Sequence, residues 1–377
     1  MRIAFFGSSL VSAYWNGAAT YYRGILRALA ARGHAVTFYE PDAYDRQKHR
    51  DIDDPPWARV VVYPADGETG VRRALAAGAD ADLVVKASGV GVFDALLEAS
   101  VLELRRADGT RPLRAFWDVD APATLERVRA AEGGAPDPFA ALIPRYDVVF
   151  TYGGGPPVVA AYQALGARRC VPIYNGLDPD IHRPAQPDQR FAGDLGFLAN
   201  RLPDREARVE EFFLRAAAAL PQRVFVLGGA GWHDKAMPPN VRAVGHVYTR
   251  DHNAFNASTT AVLNVNRDSM ARFGYSPATR VFEAAGAGAC VITDAFVGVG
   301  TFFAPEREIL VARDGAEVAR LLAGLTAERA REIGAAARRR ALGEHTYDQR
   351  ALRVEAVLDD LRAEGQAPVR VAAGASA

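Results

Sequence analysis

One carboxylate stands in an otherwise apolar helix in the stretch FGYSPATRVFEAAGAGACVIT, residues 273–293. Arg280 and Glu283 lie in that predicted helix, which Gly286 and Gly288 end, and the apolar run after it predicts a buried strand. An apolar setting makes a carboxylate costly unless it is paired or bound. Glu283 is therefore expected either to accept both hydroxyls of a nucleotide ribose or to pair with Arg280 at i,i+3, which is worth roughly a few tenths of a kcal/mol.

Other polar or glycine residues follow predicted strands in the second half of the chain. Arg201 and Arg205 come between a strand and a helix, where two guanidiniums suit a diphosphate; plain surface charge is the alternative. Gly228 and Gly229 end another strand and either admit a ligand close to the backbone or form a tight turn. Arg267 follows a later strand, in a loop that precedes the Glu283 helix.

The loop after the first predicted strand, FFGSSLVSAYWNGAAT, lacks the G-x-G-x-x-G spacing, which disfavours a dinucleotide oxidoreductase. Asn16 and Gly17 precede a predicted helix over 17–32. The start of a helix beside a glycine suits an anion or a sugar hydroxyl, and a plain turn is the alternative.

A second pair of carboxylates closes the strand in AFWDVDAP. Asp118 and Asp120 have the spacing of a divalent-metal pair. Contact with a polar substrate and capping of the next helix are the simpler interpretations, because Asp is common at such turns. A metal site is the least favoured of the three.

Composition bounds the class of protein that positions these residues. The chain has 377 residues, of which 49% are hydrophobic and 24% charged, with a formal net charge of +0. This is typical of a globular enzyme and does not indicate a nucleic-acid partner. The two cysteines lie in apolar runs and indicate buried thiols. The N-terminus lacks a signal-peptide layout and no run is long enough to cross a bilayer, so a cytoplasmic protein is expected.

Thirteen short apolar strands alternate with helical patterns, which predicts α/β architecture with parallel sheets. The Pro-, Asp- and Gly-rich segment 175–194 divides them into two Rossmann-like domains. Val209, Phe212 and Ala216 mark the buried face of a helix over 206–220. Thr346 and Gln349 form a predicted capping box for a last helix. The predicted units are 1–175, 176–345, the helix 346–365 and a disordered tail, 366–377.

Several segments resemble glycosyltransferases of the GT-B fold, in which two doubly wound domains face each other across a cleft: ARGHAVTFYE, IYNGLDPDIHRP, LPDREARVEEFF and FGYSPATRVFEAAGAGACVITD. DREARVEEFF, LNVNRD and PATRVFEAAGAGACVIT are similar to the CgeB-like group, named after a spore maturation protein. The resemblance implies that the second domain holds a nucleotide-sugar donor, the first binds most of the acceptor, and the last helix crosses back to the first. Glu283 then matches the second acid of a Glu-x7-Glu pair, whose first position is Tyr275 here.

The positions after strands and the resemblance together give a set of expected site residues. Those expected in catalysis are Asp118, Asp120 and Arg280. Those expected to bind the donor are Gly7, Asn16, Gly17, Arg201, Arg205, Gly228, Gly229, Asn266, Arg267, Tyr275, Ser276, Pro277, Thr279, Arg280 and Glu283. Those expected to contact the acceptor are Tyr14, Trp15, Trp117 and Asp118.

The implied reaction moves a sugar from a UDP-, dTDP- or GDP-sugar to an acceptor hydroxyl on a glycan, lipid, protein or natural product. Retention of configuration is favoured, and no metal or other cofactor is expected, because arginines stabilise the leaving diphosphate. An inverting enzyme would need a base, for which Asp118 and Asp120 are the candidates. A nucleotide-sugar epimerase and a non-catalytic nucleotide-sugar-binding protein remain the alternatives.

Overall fold

Two all-parallel sheets organise the chain in the computed structural model, which describes residues 1–14, 16–89, 91–130 and 137–366. The strands of the first sheet are β1 (Arg2–Phe6), β2 (Ala35–Asp42), β3 (Ala58–Pro64), β4 (Leu83–Ala87), β5 (Leu113–Asp118), β6 (Val148–Thr151) and β7 (Cys170–Pro172). Those of the second are β8 (Gly193–Leu198), β9 (Phe225–Gly228), β10 (Val241–Gly245), β11 (Thr259–Asn264), β12 (Val291–Asp294) and β13 (Leu310–Ala312).

The strand order has the same form in both sheets. It is β3-β2-β1-β4-β5-β6-β7 in the first and β10-β9-β8-β11-β12-β13 in the second. The order reverses between β1 and β4 and between β8 and β11, which is where doubly wound sheets bind their ligands. The predicted α/β class with two Rossmann-like domains is confirmed. The strand predicted over 289–293 begins later, at Val291, and ends at Asp294.

Helices cover both faces of each sheet. Those of the first domain are α1 (Ala19–Ala31), α2 (Glu68–Gly78), α3 (Asp94–Ser100), α4 (Ala121–Ala130), α5 (Pro138–Leu142) and α6 (Gly155–Ala164). Then follow α7 (Pro203–Val209), α8 (Arg215–Ala219), α9 (His252–Ala257), α10 (Asp268–Phe273), α11 (Thr279–Ala287), α12 (Val299–Phe302), α13 (Gly315–Gly324), α14 (Ala327–Glu344) and α15 (Tyr347–Gln366). Short 3-10 helices span Arg46–His49, Ile143–Arg145, Gln189–Phe191 and Thr249–Asp251.

The helix predicted over 206–220 is longer and interrupted. A π-helical segment, Glu210–Leu214, joins α7 to α8. The side chains predicted to face the core do so, since Val209, Phe212 and Ala216 are buried in the apolar cluster of the second domain. The helix predicted over 17–32 begins two residues later, at Ala19, because Asn16 and Gly17 belong to the preceding turn.

The last helix, α15, packs on the first domain although it follows the second in sequence. Its residues Ala351, Val354 and Leu358 are buried in the same apolar cluster as Phe5 and Tyr21. The predicted capping box at its start is confirmed: Gln349 N donates to Thr346 Oγ1 at 3.3 Å, and Thr346 N donates to Gln349 Oε1 at 2.7 Å. Gln366, predicted to open a disordered tail, ends α15; the rest of that predicted tail lies outside the described residues.

The chain passes between the domains twice, and the two passages are hydrogen-bonded to each other. Leu177 N donates to His345 O at 2.7 Å, and Tyr347 N donates to Leu177 O at 3.0 Å. The ring of His345 lies 2.8 Å from Phe302 O through Nε2 and 3.0 Å from an Arg350 nitrogen through Nδ1. Arg350 can only donate, so Nδ1 accepts and the imidazole is the neutral tautomer with its proton on Nε2.

The stability of this crossing is expected to depend on pH through His345. Burial, and then the neighbouring Arg350, lowers the pKa of His345 from 6.5 to about 4. Since the unfolded state then binds a proton more readily than the folded state, the contribution of His345 is present above pH 6.5 and is lost as the pH falls towards 4, by up to about 1.4 kcal/mol per pH unit. Chemical denaturation of wild type and His345→Gln, which cannot titrate, should give a stability difference that shrinks over this range. A difference that does not change with pH would contradict the assignment.

Candidate active site

The carboxyl ends of the two sheets face each other and are joined by polar contacts. Arg267 Nη1, after β11, lies 3.1 Å from Asp120 Oδ2, after β5. Gly154 N donates to Tyr275 O at 3.0 Å, and Asn175 Nδ2 donates to Pro277 O at 3.1 Å. The loops that follow the strands of both domains therefore form one interdomain region, as parallel strands require.

Arg280 is held at the point where the strand order of the second sheet reverses. It lies in the first turn of α11, and its guanidinium donates to Leu198 O at 2.7 Å and to Asn264 Oδ1 at 2.9 Å, at the ends of β8 and β11. It also covers the ring of Phe197, at 5.3 Å from the centroid. Burial, and then repulsion from Arg205, lowers the pKa of Arg280 to about 9. The alternative pair of Arg280 with Glu283 is not formed.

Glu283 points away from the core on the same helix. The other face of α11 is buried, and Gly288, at φ 82, ends the helix in the left-handed region. The Glu283 side chain is only 12% exposed, yet within the described residues its carboxylate receives no hydrogen bond; His182 Nε2 lies 3.5 Å from it. Burial lowers the pKa of His252, whose ring lies 6.4 Å from that of His182.

The two arginines after β8 have different environments. Arg201 is committed to an ion-pair cluster, with Glu206 at 2.7 Å and Asp234 at 2.8 Å, which raises its pKa. Arg205 makes no such pair: its Nε is buried without a hydrogen-bond partner, and no described carboxylate lies within ion-pair distance. Burial, and then the charge of Arg267, lowers the pKa of Arg205. Of the two arginines predicted to bind a diphosphate, Arg201 is ion-paired, whereas Arg205 has no ion-pair partner among the described residues.

Arg267 and the asparagine beside it complete the polar edge. Arg267 Nε lies 2.9 Å from Asp204 Oδ2, in α7, in addition to its contact with Asp120. Asn266 Nδ2 and Asp120 Oδ1 are both buried without a hydrogen-bond partner among the described atoms. Such orphaned polar atoms are rare in folded proteins and point to a missing ligand or water.

Four residues of this network were not predicted: Asp204, Arg208, Asp294 and His182. Asp294 closes β12 on the same edge and holds Arg208 at 2.6 Å, so the rule that ligands bind at strand ends would have found it. Asp204 and Arg208 are one turn apart in α7. This i,i+4 spacing predicts a pair on one helix, not a contact with the interdomain region. His182 belongs to the linker between the domains, and nothing in the sequence places it against Glu283.

The loop FGYSP spans the domain boundary. Tyr275 has φ 46, a left-handed conformation that is rare for a residue with a side chain. A Cβ on Gly155 or Gly298 would come within 2.6 and 2.2 Å of Tyr275, so its ring fits only against these two glycines. The other predicted residues of the loop are used in holding it: Ser276 Oγ donates to Gly274 O, Pro277 O accepts from Asn175, and Thr279 Oγ1 donates to Asn175.

Three side chains predicted to contact substrates in the first domain point inward and make internal hydrogen bonds. Trp117 is 1% exposed and donates its indole N–H to Tyr21. Asp118 is fully buried and accepts hydrogen bonds from Ser88, Thr124 and Tyr162; burial raises its pKa. Asn16 is 7% exposed, and its amide is used within its own loop, on Ser8, Ser9 and Ser12.

The predicted glycines mostly serve packing. A Cβ on Gly7 would meet the Phe38 ring at 2.6 Å, and one on Gly228 would meet Leu198 at 2.8 Å. Gly229 has φ 127, and a Cβ added to it would lie 2.0 Å from Ala199 O, so the loop after β9 packs this closely only with a glycine. Gly17 is exposed, with no atom within 4 Å of that position. Tyr14 is 41% exposed, and Trp15 lies outside the described residues.

The described residues contain neither a metal-binding cluster nor a membrane-spanning helix. No three His, Cys, Asp or Glu side chains within the described ranges come together as a metal site would require. None of the described helices combines the length and the apolar character that a bilayer crossing requires.

The unpaired Arg205 should cost stability in the absence of a ligand. Replacing it with Met removes a buried donor that has no acceptor, so Arg205→Met should raise the free energy of unfolding by about 1 kcal/mol. Arg201→Met, four residues earlier, removes a paired charge and should lower it slightly. Denaturant unfolding of the ligand-free proteins measures both. A loss of stability in Arg205→Met would show that its guanidinium is satisfied in the folded protein.

Comparison with known proteins agrees with this architecture. Residues 205–356 match a family model described as glycosyl transferase-like. Among curated proteins, none is significantly similar to the chain in sequence.

Solved structures share the fold at low sequence identity. Sucrose-phosphate synthase from Thermosynechococcus elongatus superposes with a TM-score of 0.67 at 16% identity, over 97% of this chain and 100% of that one. HepE from Anabaena, in complex with UDP-glucose, gives 0.64 at 14% identity, over 96% and 100%. The trehalose-6-phosphate synthase OtsA gives 0.63 at 11% identity, over 96% and 99%. The chain therefore has the GT-B fold.

Proposed function

We propose that the protein is a glycosyltransferase that moves a hexose from a nucleoside-diphosphate sugar to an acceptor hydroxyl, with retention of configuration and without a metal ion. Within the glycosyltransferases we place it with the CgeB-like group, on the segments around residues 204–213 and 277–293. The nucleotide is assigned to the second domain and the acceptor to the first.

One observation carries the proposal: a carboxylate without a hydrogen-bond donor and a guanidinium without an ion-pair partner both lie near Arg280. Glu283 is nearly buried and accepts no hydrogen bond from a described residue, and the Nε of Arg205 is buried without a hydrogen-bond partner. Both act electrostatically on Arg280. A nucleoside diphosphate supplies the two missing partners, because its ribose hydroxyls donate and its phosphate oxygens accept.

The same groups supply the chemistry of the transfer. When the bond from the sugar's anomeric carbon to the phosphate oxygen breaks, negative charge develops on the departing diphosphate. Arg205, Arg267 and Arg280 are fixed around the place assigned to it, and fixed charges of this kind stabilise a transition state without reorganising. Ala278, which precedes α11, offers no side-chain cap, which leaves the positive end of that helix for phosphate as well.

Retention is proposed because neither first-domain carboxylate is placed as a base. Asp118 is fully buried, and Asp120 is held by Arg267 at 3.1 Å. In the retaining reaction the acceptor oxygen bonds to the anomeric carbon on the face that the phosphate leaves. The acceptor proton passes to a phosphate oxygen, so no protein base is required.

The comparisons support the choice of donor. HepE, which shares the fold, was solved with UDP-glucose and with UDP. The matched family segment, 205–356, contains Arg205, Arg267, Arg280 and Glu283. A nucleoside-diphosphate sugar in the same position is the simplest ligand for these four side chains.

Turnover of nucleotide sugars tests the proposal directly. UDP-glucose, dTDP-glucose and GDP-mannose are each incubated with the protein, with and without EDTA, and free nucleotide is measured. Slow release from one of them, unchanged by EDTA, is expected, since water replaces the acceptor and arginines replace the ion. Release that EDTA abolishes and Mn²⁺ restores would contradict metal independence. Conversion of the sugar without release would favour an epimerase, and binding without turnover a non-catalytic protein.

Glu283→Gln should weaken nucleotide binding in a way that depends on the ribose. The carboxylate is expected to accept both hydroxyls, and hydrogen bonds to a charged group are worth about 2 kcal/mol. Titration calorimetry with UDP should therefore show a Kd about thirtyfold weaker, whereas 2′,3′-dideoxy-UDP should bind wild type and variant alike. Glu308→Gln, in the same domain but outside the site, is the control. If the variant loses the same affinity for both nucleotides, Glu283 does not contact the ribose hydroxyls.

A further inference from the structure

We propose that Tyr14 and Tyr44 form an aromatic platform on the first domain that binds a carbohydrate acceptor of more than one sugar unit. This inference rests on the proposed function and goes further, because it selects a glycan from among the possible classes of acceptor. The platform comprises these two tyrosines only.

Tyr14 is exposed but held in place. Its ring is 41% exposed and stacks on His49, with centroids 4.0 Å apart and planes at 23°. The two loops that carry these rings are joined: Ser12 Oγ donates to His49 O at 2.8 Å, and Ala13 N donates to Asp51 Oδ1 at 2.8 Å. Tyr14 therefore presents an aromatic surface whose position is largely fixed before any ligand arrives.

Tyr44 is exposed and held in place by different contacts. Its ring is 51% exposed, its hydroxyl donates to Gly91 O at 3.1 Å, and the guanidinium of Arg46 lies 5.0 Å from the ring centroid. Tyr44 and Asp45 have φ 57 and 54, two consecutive left-handed residues with side chains. Strain of this kind costs on the order of 1 kcal/mol per residue and is concentrated at binding sites, where it fixes a side chain.

Exposed, fixed tyrosine rings beside polar groups suit a sugar better than a lipid or a peptide. The apolar C–H face of a pyranose can cover an aromatic ring while its hydroxyls remain hydrogen-bonded. Asp94, with its side chain 31% exposed and 2.8 Å from Lys86, supplies a carboxylate near Gly91 for such hydroxyls. The crevice beside it, between β1 and β4, holds about 10 Å³, room for about one water. An acyl chain would find no groove there.

The sheet topology sets the length of the acceptor. Tyr14 follows β1 and Tyr44 follows β2, whereas Asp120, which meets the second domain, follows β5. At about 4.8 Å per strand, these loops start about 10 and 14 Å from the loop of Asp120. The proposed acceptor spans these loops, with the reacting hydroxyl near Asp120 and the sugar ring on the platform in different units of one chain.

Saturation-transfer NMR with maltose, lactose and cellobiose tests the platform without any donor. At least one disaccharide should receive saturation from the wild-type protein, at least fivefold less from Tyr14→Ala/Tyr44→Ala, and an undiminished amount from Tyr14→Phe/Tyr44→Phe, which keeps the rings. Tyr248→Ala is the matched control, because Tyr248 is 57% exposed and contacts a histidine in the second domain. No signal from any disaccharide with wild type, or equal signals from wild type and the Ala variant, would overturn the inference.

Kinetics form the second arm. With the nucleotide sugar that is turned over, the responding disaccharide should accelerate nucleotide release, and the double Ala variant should raise its KM at least tenfold while hydrolysis without acceptor stays within twofold. Acceleration by a long-chain alcohol or a serine peptide but by no disaccharide would overturn the carbohydrate assignment. If no nucleotide sugar is turned over at all, the proposed function fails, and the NMR result still decides whether the platform binds sugar.

Discussion

The double hydrogen bond of the Arg280 guanidinium to Leu198 O and Asn264 Oδ1 is the contact on which the interdomain site depends. It joins the ends of β8 and β11, the two strands between which the order of the second sheet reverses. It also fixes the first turn of α11, and therefore the direction of Glu283 one turn later. Because the guanidinium lies over Phe197 and is largely buried, its charge is poorly screened and acts on every group nearby. The Arg280 contact thus determines both the geometry and the electrostatics of the edge.

Arg205 and Glu283 show what that arrangement leaves unsatisfied. Protein interiors rarely tolerate a buried donor or a carboxylate without partners, because each costs on the order of 1 to 3 kcal/mol. Arg201, four residues before Arg205, is by contrast paired with Glu206 and Asp234. A ligand that pairs with both Arg205 and Glu283 explains these two unpaired groups of opposite sign better than packing does.

Sequence patterns predicted the elements well and the direction of individual side chains poorly. Strand periodicity and the linker at 175–194 were sufficient for two doubly wound domains, because parallel strands carry a strong local signal. The place of Glu283 on a helix at a strand end followed from the same pattern. Trp117 and Asp118 show the limit. They lie within three residues of Asp120, but both are buried, because they contact Tyr21 of α1 and Tyr162 of α6, which are distant in sequence. Arg201 and Arg205 differ for the same reason, since the acids that pair with Arg201 include Asp234, which is 33 residues away.

Arg267 links the binding of the proposed donor to the contact between the domains. Its guanidinium contacts both Asp204 of its own domain and Asp120 of the other. A diphosphate beside Arg205 would compete with both carboxylates for the same donors, since a guanidinium has a fixed number of N–H groups in one plane. Any hydrogen bond that Arg267 makes to phosphate at the expense of Asp120 weakens a contact between the domains. The affinity of the donor and the association of the domains are then linked through this side chain, and by thermodynamic reciprocity a change in either alters the other. The loop of Tyr275 lies at the same boundary: its ring packs against glycines of both domains, and its backbone is left-handed at φ 46.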